Sequence, residues 1–197
     1  MSPVILASQS AARSQILAGA GVAFDKIVSG VDEDLVKARI QAEGGGPRAV
    51  AQALAEIKAA TVSAAQPGLV IGADQTLEFD GALYDKAASL AEARARLIAL
   101  RGKPHHLHSA VALAQGGEAL WSQTASATLT LRDFSDAFLD HYLDLEGEGL
   151  LGSVGCYRLE GPGAQLFAAI EGDYFAILGL PLMGLLDQLR QRGALIP

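Results

Sequence analysis

The 197-residue sequence is poor in cysteine, in basic residues and in long apolar runs. Its single cysteine, Cys156, excludes an intrachain disulfide. Apolar runs such as 110–114 fall far short of the roughly 20 residues that a membrane-spanning helix needs. Only 15 Lys and Arg stand against 22 Asp and Glu, a formal net charge of -7 that excludes a broad basic face for a nucleic-acid polymer. A small anionic substrate needs only a few cations and is compatible with this charge.

Half of the residues are hydrophobic and 19% are charged, which excludes a disordered chain. A chain of this size buries roughly 70% of its unfolded surface on folding, enough for a core without disulfides. No linker or repeat divides it, so we expect one domain over residues 1–197 with two lobes around a central cleft. The first residues do not resemble a secretory signal, and with one cysteine they favour a cytoplasmic protein without a membrane partner.

Apolar runs and helix-forming segments alternate along the first half of the chain, and hairpin patterns replace them in the middle. This order predicts an α/β fold with a mixed, twisted sheet flanked by helices. Ser10, Ser89 and Ser135 are predicted helix N-caps, and Pro47 is a predicted first helical residue. The predicted strands are 4–7, 24–29, 69–73, 76–79, 82–84, 107–114 and 119–131, and the predicted helices are 11–20, 31–42, 47–63, 89–102, 135–145 and 180–192.

The common sequence motifs for phosphate loops, dinucleotide folds and zinc sites are missing from the chain. His106 and His108 would share one face of a strand at a spacing that can bind a metal, with His105 beside them. Nothing nearby supplies further ligands, so solvated or packed histidines are the favoured interpretation. Cys156 has no histidine close in sequence and is interpreted as a small buried hydrophobe rather than a nucleophile.

Hydroxyl and cationic residues follow the first predicted strand, at an edge of the sheet where α/β proteins bind ligands. Ser8 and Ser10, with Arg13 in the first turn of the next helix, would make a phosphate cradle together with free backbone N–H groups. The alternative for Ser10 is a plain N-cap. Arg13 favours the cradle, because a cation at a helix N-terminus opposes the helix dipole unless an anion binds there.

Two acidic residues, Asp74 and Glu33, also follow predicted strands. Asp74 follows the most apolar predicted strand, where it could hold a metal, deprotonate a water, or simply turn the chain. Glu33 belongs to a cluster of three acids, 32–34, which is usually a solvated helix start. Lys58 and Lys86 are isolated cations, and read singly each is interpreted as a surface lysine.

Taken together, these residues resemble the Maf family of nucleotide pyrophosphatases. The resemblance covers nearly the whole chain in order. The segment 6–17, Leu-Ala-Ser-Gln-Ser-Ala-Ala-Arg-Ser-Gln-Ile-Leu, is similar to the family's first signature. The further matching segments are 31–33, 55–59, 71–75, Lys86, 154–161 and 171–182.

The resemblance implies an inosine-triphosphatase-like fold and hydrolysis of a nucleoside triphosphate to a monophosphate and pyrophosphate. It implies a divalent metal, Mg²⁺ or Mn²⁺, and a homodimer. Asp74 would accept the proton of the attacking water, and Glu33 with Asp74 would hold the metal. The residues that would hold the triphosphate are Ser8, Ser10, Arg13, Lys58 and Lys86.

The chain departs from the family pattern at the positions that separate its substrate subgroups. These positions hold Ala12, Gln75 and Glu160, and the last two resemble the subgroup for 7-methyl-GTP rather than the one for dTTP and UTP. A carboxylate can accept two N–H bonds from the Watson–Crick edge of guanine, which neither uracil nor thymine offers. The alternatives are a dTTP/UTP pyrophosphatase, or a nucleotide-binding regulator of septum formation with weak catalysis.

Overall fold

A computed structural model describes residues 3–197 and shows one seven-stranded mixed sheet in the order β2-β1-β3-β5-β6-β7, with β4 paired to β3. β1 runs parallel to β2 and β3, and the other pairs are antiparallel. The strands are β1 Val4–Leu6, β2 Asp25–Lys26, β3 Leu69–Phe79, β4 Ala82–Tyr84, β5 Pro104–Gln115, β6 Glu118–Leu131 and β7 Phe167–Glu171. The predicted mixed α/β sheet is confirmed.

Seven α-helices flank this sheet in the described part of the chain. Helix α3 covers one face, and the other face carries two apolar clusters, one with α1 and α7 and the second with α4 and α5. No helix within residues 3–197 is both long and apolar enough to cross a membrane. The helices are α1 Ala11–Gly19, α2 Glu33–Ala42, α3 Pro47–Ala65, α4 Leu90–Leu100, α5 Asp136–Glu146, α6 Tyr174–Ile177 and α7 Leu182–Gln191.

The predicted helix caps are confirmed. The side chains of Ser10, Ser89 and Ser135 each accept a hydrogen bond from the backbone N–H three residues on, and Pro47 opens α3. These bonds satisfy N–H groups that have no partner inside the helix. Ser10 is therefore an N-cap whether or not it also binds a ligand.

The prediction that a strand ends at Asp74 is wrong. β3 runs without a break from Leu69 to Phe79, and Asp74 pairs with Ala110 of β5 in its middle. A buried carboxylate does not end a strand when a cation neutralises it and the backbone ladder continues on both sides. The polar side chain of Asp74 interrupts the apolar pattern of the sequence, and such an interruption is typical of a strand end.

Several other elements differ from the prediction at the sheet edges. β2 is only two residues long, against a predicted 24–29. β7 and the four-residue helix α6 were not predicted, and neither were two 3-10 helices at Gly147–Gly152 and Pro162–Leu166. β7 is mostly exposed on both faces, so it lacks the alternating pattern that identifies a strand.

Close contact between α3 and β3 places the site described below. Three alanines of the helix pack against three alanines of β5. A Cβ at Gly72 would collide with the carbonyl oxygen of Ala55, so only glycine lets the two backbones approach this closely. The contact brings the next turn of α3, with Lys58, over the middle of β3.

Candidate active site

The protein contains a cavity of about 1060 Å³, which agrees with the predicted cleft. Its wall combines the segment after β1, the start of α2, the middle of β3, the segment after β4 and the loop around Tyr157. The cavity is lined by all ten residues that the resemblance assigns to the site: Ser8, Ser10, Ala12, Arg13, Glu33, Lys58, Asp74, Gln75, Lys86 and Glu160.

A carboxylate–lysine cluster, formed by Asp74, Lys58 and Glu33, lies in this cavity. The Lys58 ammonium donates to Asp74 Oδ1 at 2.6 Å and contacts Glu33 Oε1 at 2.7 Å. Lys58 is only 7% exposed, so its interpretation as a surface lysine is wrong. A lone lysine in an alanine-rich helix carries no sign of burial, because the carboxylates that neutralise it lie far away in sequence.

The two acids of this cluster differ in their exposure. Asp74 is buried, and burial raises the pKa of its carboxyl group, although Lys58 and Arg13 act in the opposite direction. Glu33 is half-exposed in the first turn of α2, after the N-cap Asp32. The interpretation of the acid cluster 32–34 as a solvated helix start thus holds for Asp32 and Asp34, while Glu33 turns toward Lys58.

The cluster also suits a divalent cation. Carboxylate oxygens are the ligands that Mg²⁺ prefers, and Mg²⁺ sites commonly use one or two carboxylates together with substrate phosphates. Asp74 and Glu33 both direct an oxygen at one cationic nitrogen, so their negative charges already converge on a single point. No group of three or more histidine, cysteine or acidic side chains within residues 3–197 could hold a metal by itself.

Arg13 ties together three segments of the cavity wall. Its Nε donates to Gly179 O at 2.9 Å, and its Nη1 donates to Ser8 Oγ at 3.1 Å and to Ala73 O at 3.0 Å. Ser8 Oγ also accepts from the backbone N–H of Ser10. Arg13 therefore holds the loop after β1 against β3 and positions the hydroxyl of Ser8.

Gln75 points to the opposite face of β3 from Asp74. Its amide donates to Ser109 Oγ at 2.8 Å and to Ile177 O at 2.9 Å, so it fixes the end of α6 against the sheet. Glu160 and Ala12 instead stand where the cavity meets a smaller, largely apolar groove of about 390 Å³. The half-exposed ring of Tyr174 lines that groove.

Lys86 and two residues that sequence reasoning missed lie on the side of the cavity that α4 supports. Lys86 is exposed and lines the cavity. The buried guanidinium of Arg96 donates to the backbone carbonyls of Asp85 and Val154, and so fastens the segment carrying Lys86 to the segment leading to Glu160. Lys37 bridges Asp34 and Asp85 across the opening. An arginine or lysine within an amphipathic helix gives no sequence signal for such contacts.

The three adjacent histidines are packed or hydrogen-bonded, as expected. His105 is buried and contacts the Tyr157 hydroxyl at 2.6 Å, and burial lowers its pKa to about 4. His106 contacts Thr128, and His108 contacts Glu78 and Ser126. Cys156 is also buried, as predicted for a small hydrophobe, and burial raises the pKa of its thiol.

Comparisons with known proteins agree with this arrangement. A family model described as Maf-like protein matches residues 3–192. A nucleoside triphosphate pyrophosphatase of Caulobacter vibrioides is 61% identical over 99% of this chain and 98% of its own length. A protein of the same name from Granulibacter bethesdensis is 53% identical over 98% of both chains. A 7-methyl-GTP pyrophosphatase of Rhizobium meliloti is 44% identical over 98% of this chain and 97% of its own.

Proposed function

The chain belongs to the Maf-like family, and from this premise we propose that it is a nucleoside triphosphate pyrophosphatase, a hydrolase of acid anhydrides. The products are a nucleoside monophosphate and pyrophosphate. The observation that carries the proposal is the carboxylate–lysine cluster, which places a buried carboxylate beside cations in a cavity large enough for a nucleotide.

Asp74 is the proposed proton acceptor. A water that adds to a phosphorus of the α–β anhydride loses a proton to the carboxylate, and the bridging P–O bond breaks. Burial raises the pKa of Asp74 and makes it a stronger base than an exposed carboxylate, while Lys58 and Arg13 favour its charged form. Burial thus increases the basicity of the carboxylate, while the neighbouring cations favour its ionised form.

Glu33 and Asp74 are the proposed ligands of a divalent cation, Mg²⁺ or Mn²⁺. When bound, such a cation spreads the negative charge that develops on the phosphate oxygens. Both carboxylates contact Lys58, so its ammonium offsets their mutual repulsion and keeps them together before substrate arrives.

The triphosphate is proposed to bind along the segment after β1 and the cations around it. Ser8 and Ser10 offer hydroxyls next to the N-terminus of α1, where backbone N–H groups favour anions. Lys86 is exposed, so its side chain can move to contact a phosphate, whereas Lys58 is buried deeper in the cavity. Arg13 is already bonded to Ser8, Ala73 and Gly179, so its main contribution is to hold the cradle in shape and add positive charge.

7-Methyl-GTP is the proposed substrate. Glu160 is exposed beside Ala12 and can accept two N–H bonds from a guanine edge. The ring of Tyr174 in the same groove offers a face for the positively charged methylated base. Gln75 is bonded to the end of α6, so its proposed role in specificity is to set the shape of the groove.

Pyrophosphate release should be compared for 7-methyl-GTP, GTP, dTTP, UTP and CTP, with Mg²⁺, with Mn²⁺ and with a chelator. We expect the highest kcat/KM for 7-methyl-GTP and no turnover with the chelator. Glu160→Gln should narrow the preference for 7-methyl-GTP over UTP by about tenfold, the effect of one lost charge-assisted hydrogen-bond pair. Glu171→Gln, an exposed acid of β7, is the matched control.

Clear preference for UTP or dTTP would overturn the assigned substrate and leave the pyrophosphatase in place. Tight binding of a triphosphate without cleavage of any compound in the panel would instead favour the regulator of septum formation. The two results are separable, because the first changes only the ranking of substrates while the second abolishes turnover throughout.

A further inference from the structure

A second polar cluster lies on the sheet outside the cavity. Ser126 of β6, His108 of β5 and Glu78 of β3 are joined by hydrogen bonds across three adjacent strands. Ser126 Oγ lies 2.8 Å from His108 Nδ1, and His108 Nε2 lies 2.9 Å from Glu78 Oε2. Together with Arg48 at the start of α3, we name these residues the serine–histidine cluster.

We propose that the serine–histidine cluster is a second hydrolytic site, in which Ser126 attacks small activated carboxylic esters. A nucleophile within hydrogen-bond reach of a base, itself oriented by a third group, is the arrangement that activates a serine hydroxyl. The site is separate from the pyrophosphatase cavity, whose lining includes none of these four residues.

The hydrogen bonds assign the protons. The Glu78 carboxylate accepts and does not donate, so His108 Nε2 carries the hydrogen and donates it. Nδ1 is then an acceptor in the neutral imidazole, and the Ser126 hydroxyl donates to it. His108 is buried, and burial lowers its pKa, which keeps the ring neutral and able to act as a base.

Arg48 supplies positive charge at the reacting oxygen. Its Nη1 donates to Ser126 Oγ at 2.7 Å, and its Nη2 donates to Thr124 O at 2.8 Å, so the guanidinium is held on both sides. A fixed cationic donor beside Oγ favours the negative charge that this oxygen gains as its proton passes to His108. Ser126 is exposed, so a small ester can reach it.

The neighbouring strand positions provide a contrast within the same face. Thr128 and His106 form a similar hydroxyl–imidazole pair at 3.1 Å, but His106 is exposed and bonded to no carboxylate in the described chain. Ser122, on the same strand as Ser126, donates to Glu56 instead of to a histidine. Of the three hydroxyl residues compared, Ser122, Ser126 and Thr128, it is Ser126 that combines a base with a positioning carboxylate.

The proposed reaction is acyl transfer followed by hydrolysis. Ser126 Oγ bonds to the ester carbonyl carbon as its proton passes to His108 Nδ1, and the protonated imidazole then gives that proton to the departing alcohol. Water next adds to the acyl carbon, loses a proton to His108 and releases the carboxylic acid, and Ser126 regains its hydrogen. Glu78 acts as a positioning residue, because it orients His108 without touching the reacting atoms.

The test uses p-nitrophenyl acetate with the full-length protein. We expect a burst of nitrophenol release and, on peptide mapping, the mass of one acetyl group on the peptide that contains Ser126. Ser126→Ala should remove both signals, and His108→Gln should slow acylation by about 100-fold, the usual contribution of a general base. Ser122→Ala is the matched control and should acylate at the wild-type rate.

The expected result includes equal acetylation of wild type and Asp74→Asn, which keeps this site distinguishable from the proposed pyrophosphatase. Acetyl groups on Ser122 or on lysines, with none on Ser126, would overturn the proposal. Mapping on the wild-type protein needs no variant to fold, and Ser126→Ala changes an exposed residue only. An unchanged burst in Ser126→Ala would overturn it equally.

Discussion

Asp74 and Glu78 are acids on the same face of β3, four residues and about 13 Å apart, yet their surroundings differ sharply. Asp74 is buried in the cavity and paired with the ammonium of Lys58. Glu78 is partly exposed and paired with the imidazole of His108. One strand thus carries two acids with different partners.

The difference shows how the partner decides what a carboxylate can do. The ammonium of Lys58 opposes the effect of burial on the pKa of Asp74 and favours the charged form, and this carboxylate is the proposed base. Beside Glu78, the proposed base is the imidazole of His108, and the Glu78 carboxylate orients this ring. Burial and partner, rather than residue type, therefore separate the two proposed sites.

The largest expected effect is the loss of pyrophosphate release when Asp74, the acid in the cavity, is replaced. Asp74→Asn keeps the side-chain shape but removes the base, and we expect kcat for pyrophosphate release to fall by roughly 1,000-fold. Steady-state kinetics with 7-methyl-GTP would measure it. Asp140→Asn, an exposed acid of α5 bonded to Arg94, is the matched control. Near-normal turnover by folded Asp74→Asn protein would contradict the assignment of the base.

The next effect concerns the buried His105, which lies three residues before His108 in β5 and, within residues 3–197, contacts the Tyr157 hydroxyl rather than a carboxylate. Its pKa is lowered to about 4, so the unfolded chain takes up a proton first as the pH falls below the ordinary value of 6.5. The stability that His105 contributes above that value is lost as the pH falls toward 4, by about 3 kcal/mol.

Urea unfolding at neutral pH and near pH 4 would measure this loss. We expect His105→Gln to reduce the loss of unfolding free energy between neutral pH and pH 4. His141→Gln, at an exposed histidine, should leave that loss unchanged. An identical pH dependence in wild type and His105→Gln would show that the buried imidazole does not control acid stability.

The smallest effect sharpens the role of Lys58. In wild type, the acid limb of kcat/KM against pH reports ionisation of Asp74, so activity is lost as the pH falls through that raised pKa. Lys58→Met removes the ammonium that favours the charged form and should move this limb upward by ~1 pH unit. Lys26→Met, at an exposed lysine of β2, should not move it. A limb that stays in place would separate Lys58 from the ionisation of Asp74.

Much of the fold follows from local patterns. Serine caps, the Asp80-Gly81 turn with both residues in the left-handed region, and alternating apolar residues predict most helices and strands at nearly their observed bounds. The exceptions lie where local pattern and tertiary contact disagree. The sequence predicts a strand end at Asp74, which lies within the continuous strand β3. β7 is too exposed to show the alternating apolar pattern of a strand.

The candidate site divides along the same line. The family resemblance and the positions of polar residues along the sequence predict Ser8, Asp74 and Lys86 as site residues. All three line one cavity. The contacts of Arg96 and Lys37 cannot be predicted from the sequence, because their partners are backbone carbonyls or acids far along the chain. The roles of the site residues, the metal, the homodimer and the cytoplasmic location stay predictions.

By itself, the sequence determined the class of fold, because local periodicity is a property of neighbouring residues, and its ordered motifs carried the resemblance to the family. Only the tertiary structure decided that Lys58 is buried between two carboxylates and that three strands align Ser126, His108 and Glu78. These pairings depend on strand register and on the close approach of α3 at Gly72. Distances between residues far apart along the chain are set by packing, which no local pattern records.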